Sequence, residues 1–361
     1  MRMVRRTRSP VVSVAVLLVA WLGEGAWLET RADLDRVPAG AAAWSESASP
    51  EVRRSIDRGF DWLVGAIRGN GTVGPDRDQG PDLGCTAIVG LALLSEGSTP
   101  RGGRYAQHSR RLLYGLLELL EQREAGTLDS ITLIQRKIGR NADLFLAAIY
   151  LSEVYYESPG DERLIRAALV KLVRHIGETQ GPDGTWGTES WAPVLGTVLG
   201  WESLRAADAT GFQVTASARR VGTALLKTLK EKSPDDESWM HRFYKEASSL
   251  RVLYSLDLRQ EPVFRDSIPR LLAAVRGEQP VFELAGGEEY LAFYLVTECL
   301  VQDPRPEWRS WYPDVSAGVV KMQNRDGSWT GHHCITDRTF CTASALLTLL
   351  APRHQLSLSD L

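Results

Sequence analysis

Cysteine is scarce in this 361-residue chain: there are four, at positions 85, 299, 334 and 341, and none stands in a C-x-x-C pair. That spacing excludes dithiol redox chemistry and fits no standard zinc finger, because both need closely paired thiolates. A one-sided charge is missing as well. The 42 Lys and Arg face 45 Asp and Glu, a net charge of −3 without a basic stripe, which argues against a nucleic-acid partner. Long apolar runs are also lacking. Val11 to Leu22 stops at twelve residues, fewer than the roughly twenty a spanning helix needs. What remains has the composition of an ordinary globular protein, with 43% hydrophobic residues for a large core.

That apolar run has a distinctive setting. Arg2, Arg5, Arg6 and Arg8 precede it, Glu24 closes it, and Thr30-Arg-Ala32 puts small residues where a signal peptidase reads. The expectation is an export signal over residues 1–32, with an uncleaved membrane anchor as the alternative, and a periplasmic or cell-envelope location. Cleavage after Ala32 removes five Arg and two Glu, so the net charge moves from −3 to −6. A Pro-containing linker over residues 33–50 follows, then one domain over 51–352 and a tail over 353–361.

The most informative stretch is Gln323 to Trp329, reading Gln-Asn-Arg-Asp-Gly-Ser-Trp, because the frame Gln, three residues, Gly, one residue, Trp recurs at Gln180 to Trp186. Asp183-Gly184 and Asp326-Gly327 are turn dipeptides, each following one helical pattern and preceding another. A second internal match supports a repeat. Cys85-Thr86-Ala87, with Leu91, Leu93 and Leu94, aligns in register with Cys341-Thr342-Ala343, with Leu347, Leu349 and Leu350, at a distance of five steps of about fifty residues.

Hydrophobic periodicity then divides the chain into pairs. Ile56, Phe60, Leu63 and Ile67 form one apolar stripe, the Gly-rich stretch 69–75 breaks it, and Leu83 to Leu94 is apolar nearly all round. The same sequence of striped helix, turn and all-apolar helix continues five more times, ending with 308–322 and 339–350. Helices too apolar to face water must be enclosed by the striped ones, so the expected architecture is all-α, with six helical hairpins in inner and outer layers. Closure into a ring sets hairpin six beside hairpin one, where the two Cys-Thr-Ala segments match.

These residues resemble the terpenoid cyclase and protein prenyltransferase superfamily. Gly318 to Trp329 is similar to the QW repeat of squalene and hopene cyclases, and Arg58 to Leu63 looks like the opening of another copy, with Ile67 and Val73 in place of Gln and Trp. The resemblance implies an α/α-toroid and a structural role for Gln180, Trp186, Gln323 and Trp329. It does not carry over the chemistry. The D-x-D-D acid of the cyclases has only Ser233-Pro-Asp235-Asp236 near it, the prenyltransferase zinc triad is absent, and Gly84-Cys85-Thr86 departs from the thioester G-C-G-E-Q sequence.

Candidate chemistry gathers at the starts of the inner helices, where helix dipoles favour anions and where a mouth would open. Arg140, Asp143, Trp191, His241, Tyr244, Glu289 and Tyr290 are the candidate ligand-binding residues. Asp337 and His333 are the candidate acid–base pair. His332, His333, Cys334, Asp337 and Cys341 hold donors of the type zinc takes. Three functions stay open: a non-classical toroid binding a hydrophobic ligand or a protein at its mouth, an enzyme acting on an isoprenoid substrate with or without zinc, and a carbohydrate-active enzyme using Glu189, Glu288 and Glu289. Aromatic residues including Phe145, Trp201, Phe243, Phe293 and Tyr294 either line a central pocket or pack a core.

Overall fold

A computed structural model describes residues 48–353 and Leu356, except residues 125, 127–130, 232–237 and 303–306. The expected leader, most of the linker, the Ser233–Asp236 turn and most of the tail lie outside the described residues. Among those described there is no strand, and no helix is long and apolar enough to cross a membrane.

The chain forms helical pairs in order. They are α1 (Pro50–Ala66) with α2 (Leu83–Glu96); α3 (Ala106–Glu124), then the short α4 (Leu133–Lys137), with α5 (Ala142–Val154); and α6 (Glu162–Glu178) with α7 (Pro193–Ala209). The second half repeats this with α8 (Thr215–Lys230) and α9 (Trp239–Ser255), α10 (Pro262–Ala273) and α11 (Gly287–Gln302), and α12 (Glu307–Lys321) and α13 (Arg338–Leu350). Helices α2, α5, α7, α9, α11 and α13 each pack on the next, and α13 packs back on α2, closing an inner ring. Each outer helix lies against the inner helix that precedes it, and α1 lies against α13. Burial follows the patterning. Residues 83–95 are buried on every side, whereas α6 buries only Ile165, Leu169, Leu172 and Ile176.

Local signals set the helix ends. Ser49 Oγ accepts from Val52 N at 3.2 Å, with Pro50 at the first helical position, and Asp82 Oδ1 accepts from Cys85 N at 2.6 Å. Gly97 ends α2 in the left-handed conformation, its N–H and that of Ser98 returning to Leu94 and Leu93.

One turn recurs three times and joins the layers. In Asp326-Gly327-Ser328-Trp329 the Asp326 carboxylate accepts from the backbone and hydroxyl of Ser328, and Asn324 N donates to Ser328 O at 2.8 Å. Asp183-Gly184-Thr185-Trp186 makes the same bonds, and Asn70-Gly71-Thr72-Val73 makes them with Asn for Asp and Val for Trp. Inward, the N–H of the fourth residue goes to a threonine on the following inner helix: Val73 to Thr86 at 3.0 Å, Trp186 to Thr197 at 3.2 Å and Trp329 to Thr342 at 2.9 Å. Outward, the glycine sits at positive φ against the backbone of the next outer helix. A Cβ on Gly327 would lie 2.4 Å from Arg58 O, and one on Gly184 2.7 Å from Arg220 O. Both strain and collision therefore demand glycine there.

The two glutamines complete the joint. Gln323 Nε2 donates to Ser55 O and Gly327 O, each at 2.8 Å, and its Oε1 accepts from Ser55 Oγ and from Arg58. This ties the sixth hairpin to the first. Gln180 Nε2 reaches Gly184 O and Ser217 O in the same way, with Arg220 on its Oε1. Trp186 and Trp329 donate their indole N–H back to Ile176 O and Val319 O.

The middle of the ring is filled. A cavity of about 30 Å³ lies among Ile88, Leu146, Leu199, Tyr294 and Leu347, room for one water and far below the few hundred Å³ of a ligand pocket. Phe145, Trp201, Phe243, Phe293 and Tyr294 are buried, with Phe243 against Phe293 and Phe145 against Trp186, so they are core. That cavity, as it stands, is too small to enclose an isoprenoid. Beside the cavity, Arg251 Nε meets Glu202 Oε1 at 3.0 Å, both side chains nearly fully buried, and Arg205 approaches Glu202 at 3.3 Å. Burial pushes the Glu202 carboxyl up, but the two guanidiniums outweigh it and hold it below the usual value.

Two stability tests follow from this packing. Gly327→Ala should lower unfolding free energy by about 2 kcal/mol or more in urea titration, whereas Gly102→Ala, where a Cβ meets nothing, should be near neutral. Arg251→Met should cost about 3–5 kcal/mol by stranding Glu202, and adding Glu202→Gln should recover part of it.

Candidate functional site

Six hairpins of one sense put all inner-helix starts at one end of the ring, and each contributes a polar or aromatic group. On three adjacent helices these are Asp337 before α13, Asp82 before α2 and Asp143 in the first turn of α5. Arg123 Nε reaches Asp143 at 3.2 Å and Gln135 Nε2 donates to it at 3.0 Å. Asp82 Oδ2, Asp143 Oδ1 and Asp337 Oδ2 are buried without a hydrogen-bond partner among the described residues.

Helix dipoles favour ionised carboxyls here, whereas burial and mutual repulsion favour protonated ones. Burial wins. It lifts Asp337 to about 7, with the Asp82 charge adding and Arg136 opposing. It lifts Asp82 to about 6 against the Cys85 N–H, with Asp143 adding. Asp143 also rises by burial, against the pull of Arg123.

The second group lies at the start of α11. Gly286 N donates to Glu289 Oε2 at 2.8 Å, and His333 Nε2 lies 3.1 Å from the same oxygen. Ile335 N donates to Glu288 Oε2 at 3.3 Å. Burial and the neighbouring Glu289 raise Glu288 to about 7, and contact with Glu289 raises His333 above its ordinary value. Donor atoms of Glu288, His333 and Cys334 lie within 4.8 Å of one another. Backbone bonds from Gly287 N to Ile335 O and from His332 N to Ala285 O pin the 332–335 loop to this helix start.

Trp191, 57% exposed, forms a shelf on the same rim. Tyr244 donates its hydroxyl to Trp191 O at 2.9 Å, His241 packs edge-on to both rings, and Lys137 Nζ lies 5.1 Å from the indole centroid. The Lys137 charge also acts on His333 and Cys334, which links the shelf to the acidic group.

The expected site residues thus divide. Asp143, Trp191, His241, Tyr244, Glu289, His333 and Asp337 gather at the mouth. Arg140 and Glu189 stay on the exposed rim, bonded through Arg140 N and Glu189 Oε1. Tyr290 is fully buried and packs edge-on to Phe293. The five-residue metal set also divides. The His332 residue is exposed, Cys341 Sγ is buried facing Ile335 O at 3.6 Å, and Asp337 belongs with Asp82. Glu288 takes their place, although its spacing of 45 residues from His333 gave no such signal. Asp82 was missed too; its position as a cap just ahead of the first Cys-Thr-Ala segment, as Asp337 stands ahead of the second, could have found it. All four cysteines are unpaired.

The closed double ring defines the class of fold, an α/α-toroid. No protein-family model and no curated protein matches the chain. Among solved structures, an inactive variant of the α-1,6-mannanase GH76A of Salegentibacter sp. HEL1_6, bound to α-1,6-mannotriose, is similar over 84% of this chain and 99% of its own, at 12% identity and a TM-score of 0.58. The type II terpene cyclase MstE of Scytonema, in complex with geranylgeranyl dihydroxybenzoate, is similar over 85% and 98%, at 13% identity and 0.51. Likeness at such identity establishes the toroid and no activity.

Asp337 gives the pH dependence a definite sign. Its folded value near 7 against an ordinary 3.8 means a stabilising contribution complete below about pH 4 and lost as the pH rises through 7. Asp337→Asn should therefore match the wild type at pH 4 and exceed it at pH 8 by about 2–4 kcal/mol, measured by denaturant titration at both pH values.

Proposed function

We propose that the mouth is an acid–base catalytic site for a carbohydrate-class substrate. The observation that carries this reading is the gathering of buried carboxyls on adjacent helix starts, with Asp337 near neutral range, around a ring whose centre has no room for a lipid. A carboxyl kept protonated near pH 7 is what a general acid for glycosidic oxygen needs. Asp337 is the proton donor, and burial, helped by the neighbouring Asp82 charge, keeps the proton on. Glu289, oriented by Gly286 N, is the second carboxyl. Trp191 offers an exposed aromatic face on which a sugar ring can stack.

The likeness to a mannanase supports this reading: that enzyme binds a mannotriose, and its inactive form lacks two consecutive aspartates. The export signal expected over residues 1–32 would deliver the ring to the envelope, where glycans are exposed. The terpene cyclase likeness supports an isoprenoid substrate equally by fold, but the filled centre weighs against it.

The test is a panel of neutral and acidic polysaccharides, α-1,6-mannan included, assayed for new reducing ends alongside geranylgeranyl substrates. Cleavage of a glycan, reduced about 10²- to 10⁴-fold in a folded Asp337→Asn variant, is the expected result. Turnover of the isoprenoid alone, or a variant as active as the wild type, would overturn it.

A further inference from the structure

Glu288 and Glu289 are two consecutive carboxylates, each at most 3% exposed, and among the described residues no lysine or arginine pairs with either. Their neighbours are two backbone N–H groups and one histidine. Glu289 Oε1 is buried without a hydrogen-bond partner among the described residues. Two buried carboxylates with so little compensation are costly unless a cation joins them.

The surroundings supply the rest of a coordination sphere. His333 and Cys334 each bring a donor atom within 4.8 Å of Glu288, so that oxygen, nitrogen and sulfur converge. The two loops that carry them are fixed by the backbone bonds from Gly287 N to Ile335 O, 2.9 Å, and from His332 N to Ala285 O, 2.8 Å. Gly286 lets these groups approach closely: a Cβ there would lie 2.6 Å from His333 O, 2.8 Å from Glu288 Oε2 and 3.3 Å from Glu289 Oε2, so a side chain would collide with them.

We infer that Glu288, His333 and Cys334 bind one borderline-soft divalent transition ion of the zinc class, with Glu289 orienting His333 from behind. The donor set selects the ion. Imidazole nitrogen and thiolate sulfur suit zinc, while calcium and magnesium take oxygen almost alone. A carboxylate held against a ligating histidine is the usual support for such a ligand. Three protein ligands leave a fourth position for solvent at the mouth, as in sites where the ion acts on substrate rather than holding the fold. This inference shares Glu289 with the carbohydrate reading but does not rest on it, since ion binding requires no turnover.

The experiment is equilibrium dialysis of the full, chelator-stripped chain against Zn²⁺, with metal content measured by mass spectrometry, and Co²⁺ loading followed by absorption. One zinc per chain is expected, with affinity reduced about 10- to 100-fold or more in Glu288→Gln and Cys334→Ser. The sulfur-to-cobalt charge-transfer band of the wild type should vanish in Cys334→Ser. His332→Gln, altered at an exposed neighbour, should bind as the wild type does, and circular dichroism confirms that each variant is folded. Less than stoichiometric zinc in the wild type, undiminished binding by both site variants, or loss of binding with His332→Gln would overturn the assignment.

Discussion

The structure depends on one small hydrogen-bonded turn between the layers. In each copy an Asp or Asn side chain closes a tight loop, a glycine at positive φ lets the loop touch the next outer helix, and the following N–H is held by a threonine one turn into the inner helix. A repeat of this kind cannot bury its apolar face alone, so each hairpin needs its neighbour. The turn supplies that link, and the Gln323 copy closes the circle by reaching Ser55 and Arg58.

Closure in one sense has an electrostatic consequence. Parallel inner helices bring their N-terminal ends together, and the residues that cap or begin them meet across helix boundaries. Carboxyls are natural there for capping and dipole reasons. Packed side by side and covered, they repel one another, and burial exceeds what the dipoles return. The result is a set of carboxyls displaced toward neutral pH, unlike those of a plain solvated rim. Beside the central cavity the same difficulty is met differently: Glu202 has Arg251 and Arg205, which hold its carboxyl below the usual value.

Much of the architecture was legible in the chain. Stripes on one face and all-round apolarity on the next reveal outer and inner helices, and the Asp-Gly-x-Trp frames place the joints. The third joint, at Asn70 to Val73, was only half visible, because Val replaces Trp and the shared feature is the bond to Thr86. The mouth was legible as a region but not as a site. Asp337 and His333 were recognisable donors, yet their partners Asp82 and Glu288 lie far away in sequence, and Tyr290 looked accessible because a helix start does not reveal which way a side chain turns.

The sequence by itself determined the all-α class, the number of hairpins and the end of the ring where polar groups collect, since these follow from local periodicity, turn chemistry and repetition. Only the tertiary structure decided that the centre is filled, that Asp337 faces Asp82, and that Glu288 joins His333 and Cys334. Those facts depend on packing between segments distant in the chain, where side-chain volume and the loss of water, rather than spacing, set which groups meet and which carry charge.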